Sequence, residues 1–317
     1  MKQIVLLLAF LLSVSCHRRP LEDPANNTTL RVAVNIKAIM NITCDIYNEK
    51  IPVPTIEPEM MRVLYISDIT YDDEGTRCLQ GDISVRPGTY QMLIYNFDTE
   101  STLVRDDQTF ETIEAYTDKV TSSIRQSFLG RAGEENAIVY EPDHLVVASN
   151  EREVIPFHEG VHVVKTDATS IVETYYLQIK VDGLQYVSSA RAVLTGMVGS
   201  NRFGRNERVT STPVSLYFTL QKSDDKGVDV LATVFNTFGR IEDITNCLSV
   251  TFDIRTTDGR TVKRDFDITS LFSSEACLKH HWLLLEETVK IDPPASSGGG
   301  FDPSVDDWED EHHDIKL

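Results

Sequence analysis

The chain has 317 residues, with 49 Asp and Glu against 30 Lys and Arg, a formal net charge of -19 at pH 7. Binding to phosphates requires clustered Lys and Arg that displace counterions, so this balance excludes nucleic acid and anionic lipid headgroups as expected partners. The sequence contains neither a P-loop nor a G-x-S-x-G motif, and we expect no cofactor and no enzymatic activity.

The chain begins with MKQIVLLLAFLLSVSC, in which one lysine precedes an apolar run from Ile4 to Leu12. That run is too short to span a bilayer, so we predict a cleaved signal peptide over residues 1–15. Its end resembles a bacterial lipobox, although Ser13 stands where leucine is usual. The resemblance implies that Cys16 becomes the first mature residue and carries acyl chains such as palmitate, which would hold the protein on the membrane. The alternative is an ordinary cleaved signal with an incidental cysteine.

Residues 16–28 are then a lipidated tether, and residues 29–150 are predicted to form an N-terminal β-sandwich. Over residues 29–39 apolar and polar side chains alternate, the period of a half-buried strand. Residues 61–69 and 90–97 repeat that alternation. Helical periodicity is scarce, but residues 117–132 favour one short helix, with Val120, Ile124 and Phe128 spaced by four.

The segment HEGVH contains His158, Glu159 and His162 in the H-E-x-x-H pattern of zinc metalloproteases. That site requires a helix, which places both histidines on one face beside the glutamate. Gly160 interrupts this segment, and the β-branched run that follows favours a strand. We therefore interpret the match as coincidental and predict no metal site, and a strand here would exclude the metalloprotease hypothesis.

Residues 151–292 are predicted to form a C-terminal β-sandwich, because short alternating segments recur as far as residue 291. Asp258-Gly259 lies between two such segments and predicts a tight hairpin turn. Ser223 and Lys226 fit S-x-x-K, but their charged surroundings before Gly227 indicate a hairpin tip. We placed the boundary between the two domains near Asn150, in the polar run ASNERE.

Four cysteines follow Cys16, two in each half of the chain, and none has metal-ligand spacing. In an oxidising compartment they permit two disulfides within domains, Cys44 to Cys78 and Cys247 to Cys277. Buried free thiols are the equally weighted alternative.

Residues 293–317 begin with the glycine-rich linker DPPASSGGG and end with FDPSVDDWEDEHHDIKL. Trp308 and the alternating Ile315 and Leu317 predict a terminal strand that docks. The acidic and histidine side chains from Asp306 to Asp314 contain the elements of a cation site, but a solvated strand face is favoured because no rigid loop places them.

The fold class predicted from these patterns is all-β, with two antiparallel sandwiches in tandem and a C-terminal strand. Residues 181–218 (VDGLQYVSSARAVLTGMVGSNRFGRNERVTSTPVSLYF), followed by VFNTFG at 234–239, resemble the second domain of Bacteroidota fimbrillin-like lipoproteins. The residues that carry the resemblance are turn formers and core aromatics, such as Gly183, Gly196, Phe238 and Gly239. They report the fold and no chemistry.

This resemblance implies transthyretin-like sandwiches and an outer membrane lipoprotein, facing the cell surface or the periplasm, that acts in fimbriae or their attachment and in cell adhesion. Its partners would be fimbrial or envelope proteins, joined by strand addition. In the family, polymerising subunits expose a groove after proteolytic removal of a first strand. The candidate first strand here is 29–39, and Arg18, Arg19 and Arg31 do not lie in a loop after it. An anchor or accessory role is therefore favoured over a stem subunit.

The alternative function is a surface lipoprotein that binds a glycan or a host protein. Exposed aromatic side chains would distinguish it, because sugar rings stack on them. The candidates are Tyr175, Tyr176, Trp282 and Trp308.

Overall fold

The computed structural model describes residues 27–35, 42–48, 61–66, 68–71, 77–96, 99–129, 136–157, 160–242 and 248–294. The predicted signal peptide, Cys16 and most of the tether lie outside these residues. So does the predicted terminal strand at 301–317.

The described chain is built mainly of strands, which confirms the all-β prediction. The first twelve are β1 (Thr28–Asn35), β2 (Ile42–Asn48), β3 (Met61–Ile66), β4 (Asp68–Tyr71), β5 (Arg77–Val85), β6 (Gly88–Asn96), β7 (Thr102–Arg105), β8 (Glu114–Thr117), β9 (Ala137–Tyr140), β10 (Val146–Ile155), β11 (Val161–Asp167) and β12 (Thr169–Ser170). The others are β13 (Glu173–Asp182), β14 (Val187–Val198), β15 (Ser200–Arg202), β16 (Glu207–Arg208), β17 (Pro213–Asp225), β18 (Val228–Thr237), β19 (Ser249–Thr256), β20 (Thr261–Asp267) and β21 (Trp282–Lys290).

Two short α-helices, α1 (Ser122–Ser127) and α2 (Glu275–His280), accompany 3₁₀ turns at Leu184–Tyr186 and Thr269–Ser273. The helix α1 lies in the segment for which a helix was predicted. Val120 and Phe128 flank it and are buried in one cluster with Ile138 and Val193, and Ile124 packs against that cluster. The apolar spacing thus marks the side on which this segment packs.

Two sheets form the first sandwich. Sheet A has the order β11-β1-β5-β4, and sheet B has the order β12-β10-β6-β2-β3. Their core contains Leu30, Val32 and Val34 of β1 packed with side chains of β6 such as Met92 and Ile94. The alternation predicted for residues 29–39 is confirmed as far as Asn35, the last described residue of this segment, because Leu30, Val32 and Val34 enter this core.

The second sandwich is formed by sheet C, which follows the path β20-β19-β14-β17-β18-β13-β21, with β9 beside β17. Strand β17 pairs with β14 through its first half and with β18 through its second half, so it belongs to both layers. Stacked aromatic rings fill the core between the two layers. The ring centroids of Phe218 and Phe235 are 4.6 Å apart, and those of Phe235 and Tyr175 are 5.8 Å apart. Antiparallel pairing predominates, but β1–β11, β13–β21 and β9–β17 are parallel pairs.

A small sheet D, of order β16-β15-β8-β7, pairs two strands from the first half of the chain with two strands from the second half. Its apolar cluster combines Leu93 and Val147 of sheet B with Phe110 and with Phe203 and Phe238 from the second half of the chain. The two sandwiches thus share a buried apolar contact, which favours a fixed relative position over free movement.

The boundary predicted near Asn150 lies inside β10, whose pairing with β6 continues to Ile155. The polar run ASNERE is part of this strand and contains an irregularity between Asn150 and Glu153, where the Asn150 amide donates to the Glu153 carboxylate at 2.7 Å. Strands of the first sandwich extend to Ser170, because β11 pairs with β1 and β12 pairs with β10.

Candidate functional site

Strand β1 is the element on which the family resemblance places function, and it is paired along both edges. It runs parallel to β11 and antiparallel to β5. The Arg31 guanidinium donates two hydrogen bonds to the Asp82 carboxylate on β5, at 2.7 and 2.8 Å. This pairing raises the pKa of Arg31 and lowers the pKa of Asp82, mainly through the side-chain hydrogen bond. Both side chains are exposed, so the pair marks the register more than it adds stability.

Side chains at both ends of β1 donate hydrogen bonds to the segment that follows β10. At the start, the Thr28 hydroxyl donates to the carbonyl of Pro156 at 2.8 Å. At the end, the Asn35 amide donates to the Asp167 carboxylate on β11 at 2.9 Å. The strand is therefore an integrated member of sheet A over its whole described length.

His162 of the HEGVH segment lies in strand β11, as predicted, while His158 and Glu159 lie outside the described residues. Gly160 has φ +121°, which is not a helical conformation. The His162 Nε2 atom lies 3.6 Å from the Glu153 carboxylate of β10, and the His162 side chain is half-buried. His162 is therefore not on a helix, as the zinc motif would require. The absence of zinc itself stays a prediction.

Cys44 and Cys78 lie in different sheets of the first sandwich, opposite Ile94 and Asn35 respectively. Cys277 is buried in α2, and burial raises the pKa of its thiol. Its predicted partner Cys247 lies outside the described residues. Both disulfides therefore stay predictions.

The structure separates the aromatic candidates. Tyr175 is buried between Phe235 and His281, its hydroxyl donates to the Glu173 carboxylate at 2.8 Å, and burial raises its pKa. Tyr176 and Trp282 point to the opposite, outer face of sheet C and are register partners on β13 and β21. Trp308 lies outside the described residues.

The sequence reasoning missed two neighbours of this aromatic pair. Val234 of β18 is the register partner of Tyr176 on its other side. The His280 ring stacks on Trp282, with ring centroids 4.6 Å apart. The proximity of His280 to Trp282 in the run HHW was the only sequence feature that pointed to the histidine. No local pattern could have predicted the contact of Val234, because strand pairing is non-local.

Several turn predictions are confirmed. Gly259 has φ +85° in the β19–β20 hairpin, and Lys226-Gly227 form the β17–β18 turn, with φ +54° and +86°. Ser223 lies within strand β17, so the S-x-x-K match spans a hairpin tip. Among the ranges given above, no three His, Cys, Asp or Glu side chains are arranged to hold a metal, and the acidic cluster at 306–314 lies outside them. Within the same ranges we find no helix with the length and apolar character of a membrane span.

The model of a domain of unknown function, DUF5119, matches residues 39–219, more than half of the chain. A Bacteroides ovatus protein named "Putative fimbrium anchoring subunit Fim4B" is 29% identical over 191 residues. That match covers 59% of this chain and 54% of the relative, so this chain spans about half of the relative's length.

Two crystal structures are also similar. A "putative adhesin" from Bacteroides ovatus ATCC 8483 superposes with a TM-score of 0.59 at 20% identity, covering 88% of this chain and 97% of that one. The fimbrial anchor protein Mfa2 from Porphyromonas gingivalis gives a TM-score of 0.40 at 10% identity, covering 78% and 85%.

The layered sheets and the superposition on the Bacteroides ovatus structure define the class as an all-β protein of that fold. Within this class the chain belongs to the DUF5119 family, and its resemblance to Bacteroidota fimbrillin-like proteins is confirmed.

Proposed function

We propose that this protein is a lipid-anchored component of the cell envelope, without catalytic activity, that acts as an anchor or accessory subunit of surface fimbriae. The observation that carries the proposal is the 29% identity over 191 residues to a protein named as a fimbrium anchoring subunit. Because the match covers 54% of that relative, the role of the whole relative is transferred here only as a proposal.

Membrane attachment through acylated Cys16 is the first part of the proposal. Eleven residues separate Cys16 from Thr28, where β1 begins. Even a fully extended chain over this distance reaches only about 40 Å. The first sandwich would therefore lie close to the outer membrane, with the second sandwich connected to it through the shared apolar cluster.

Retention of β1 is the second part, and it favours an anchor or accessory role over a stem role. In the family, polymerising subunits lose a first strand by proteolysis, and the arginine considered for such a cleavage would lie in a loop after that strand. Arg31 instead lies within β1, where its guanidinium is hydrogen-bonded to Asp82. The next arginine in the sequence is Arg62, in β3. The groove that β1 occupies is therefore expected to stay filled.

Contact with fimbrial partners would then use strand addition at an open sheet edge. Within the part of the chain that the structure describes, β11 and β4 end sheet A, and β20 and β21 end sheet C. A partner strand added there gains main-chain hydrogen bonds without displacing β1.

Immunogold labelling of the protein on fimbriated cells tests the role. We expect label at the cell surface where filaments begin, and an intact β1 in the protein recovered from those cells. Label repeating along the filaments, together with a mature N-terminus downstream of residue 31, would identify a stem subunit and contradict the proposal. An absence of label from fimbriae would contradict any fimbrial role.

A further inference from the structure

The outer face of sheet C exposes a row of apolar side chains across three strands. Val234 of β18, Tyr176 of β13 and Trp282 of β21 are successive register partners. Val234 is 62% exposed and Trp282 is 45% exposed, while Tyr176 is half-buried between them. The neighbouring residues on the same strands, Tyr175 and Phe235, point the other way into the core. The row therefore contributes nothing to the core of the sandwich.

Hydrogen-bonding groups border this row. The Tyr176 hydroxyl donates to the Gln178 side-chain oxygen at 2.8 Å, and the Gln178 amide donates to the Asp225 carboxylate at 3.1 Å. On the other side, the exposed His280 ring stacks on Trp282. Gln178 is buried, and its amide holds the Tyr176 hydroxyl and the Asp225 carboxylate in place. Rings with accessible apolar surface thus lie beside an exposed carboxylate and an exposed imidazole, groups that exchange hydrogen bonds with hydroxyls.

We propose that this face, formed by Val234, Tyr176, Trp282, His280 and Asp225, is a binding site for a neutral oligosaccharide. The aromatic rings would contact the apolar C–H face of a sugar ring, and the polar groups would bind its hydroxyls. Asp225 and the net charge of -19 disfavour sugars that carry carboxylate or sulfate groups.

The dimensions of the face favour this occupant over another protein. Three strands spaced by about 4.8 Å span roughly 10 Å, which is enough for a short run of sugar units. A stable protein interface buries roughly 800 Å² on each partner and needs a larger apolar centre. The proposal extends beyond the anchor role and does not depend on it.

Affinity electrophoresis of the full-length chain, through gels containing laminarin, galactomannan or xylan, tests the proposal. We expect at least one of these neutral polysaccharides to retard the protein. Trp282→Ala and Tyr176→Ala should each weaken the retention by about tenfold or more, as expected for aromatic anchors. Phe157→Ala removes an aromatic residue that is 57% exposed in the first sandwich and should change nothing. Polygalacturonate should not retard the protein.

A spectroscopic measurement locates the binding without altering the face. The sequence has two tryptophans, so Trp308→Phe leaves Trp282 as the only indole. The polysaccharide that retards the protein should shift the fluorescence of this variant to the blue.

Three results would overturn the proposal: no retardation by any of the three neutral polysaccharides, retention unchanged in Trp282→Ala, or a Trp282 spectrum that does not respond. Concentration-dependent self-association that Trp282→Ala abolishes would assign the face to a second copy of the chain instead.

Discussion

At the scale of single residues, Gly183 is under two constraints, of backbone conformation and of space, whereas Gly227 is under the first alone. Both have a left-handed backbone, with φ +91° and +86°. A Cβ atom on Gly183 would lie 2.2 Å from the carbonyl oxygen of Ile291, whereas a Cβ on Gly227 meets nothing within 4 Å. Gly183 therefore needs to be glycine for space as well as for conformation.

We expect Gly183→Ala to lower the free energy of unfolding by roughly 3 kcal/mol or more, because the end of β21 must move. Gly227→Ala should lower the free energy of unfolding by only about 1 kcal/mol, because only the left-handed backbone conformation disfavours alanine there. Urea unfolding of the two variants measures this difference. Equal losses of stability in the two variants would show that the Ile291 carbonyl can move away from the added Cβ at no cost in free energy.

The pH dependence of stability can be predicted at Glu141, whose carboxylate accepts a hydrogen bond from the Asn236 backbone N–H at 3.1 Å. Burial raises the pKa of Glu141, and the nearby Asp143 charge adds to this rise. The folded state therefore penalises the ionised form, and that penalty disappears as the pH falls from the raised pKa toward the ordinary one.

Glu141→Gln keeps an acceptor oxygen without the charge, so it should raise the melting temperature at pH 7, and the gain should shrink toward pH 4. Glu111→Gln is the matched control, and its effect on the melting temperature at pH 7 should have the opposite sign. A hydrogen bond from Gln91 lowers the pKa of Glu111, so its contribution is present at pH 7 and is lost on acidification. A uniform effect of Glu141→Gln at all pH values would contradict the assignment.

At the scale of secondary-structure elements, β1 is the strand whose integration matters most for the proposed role. Leu30 is fully buried between sheets A and B, while Thr29 beside it is exposed. We expect Leu30→Ala to lower the free energy of unfolding by about 2–5 kcal/mol and Thr29→Ala to have little effect. A Leu30→Ala protein as stable as the wild type in urea would mean that β1 is not held in the sheet.

Strand positions were largely predictable, because one buried face imposes a period of two on the sequence. Residues 29–35 and 90–96 show this alternation, and both are strands. The position at which the first sandwich ends was not predictable from the same rule, and Asn150 lies inside β10. The polar run there is one strand with an irregularity, and polar side chains on a strand's exposed face read like a linker.

Pairing between strands was beyond the sequence pattern. The parallel contact of β1 with β11 joins segments more than 120 residues apart, as Arg31 opposite Val163 illustrates. The row of Val234, Tyr176 and Trp282 arises in the same way. Tyr176 and Trp282 were candidates from their residue type alone, and only the register places them side by side.

At the scale of the whole molecule, one apolar cluster connects the two sandwiches, with Phe110, Phe203 and Phe238 fully or almost fully buried in it. A force applied at the second sandwich would be transmitted through this cluster to the first one and to the proposed tether. Such a connection suits a protein that holds a filament on a membrane, whereas a freely hinged pair of domains would not transmit orientation.

In the proposed role, acylated Cys16 would hold the protein, and the fimbriae attached to it, on the cell. The measurement is the distribution of the protein and of fimbriae between cells and medium, for the wild type and for Cys16→Ala, with fatty-acid labelling of both. We predict that the variant loses the label, leaves the membrane fraction, and releases fimbriae into the medium, because the acyl chains on Cys16 would be its membrane anchor. Continued tight membrane association of Cys16→Ala with cell-bound fimbriae would contradict the account.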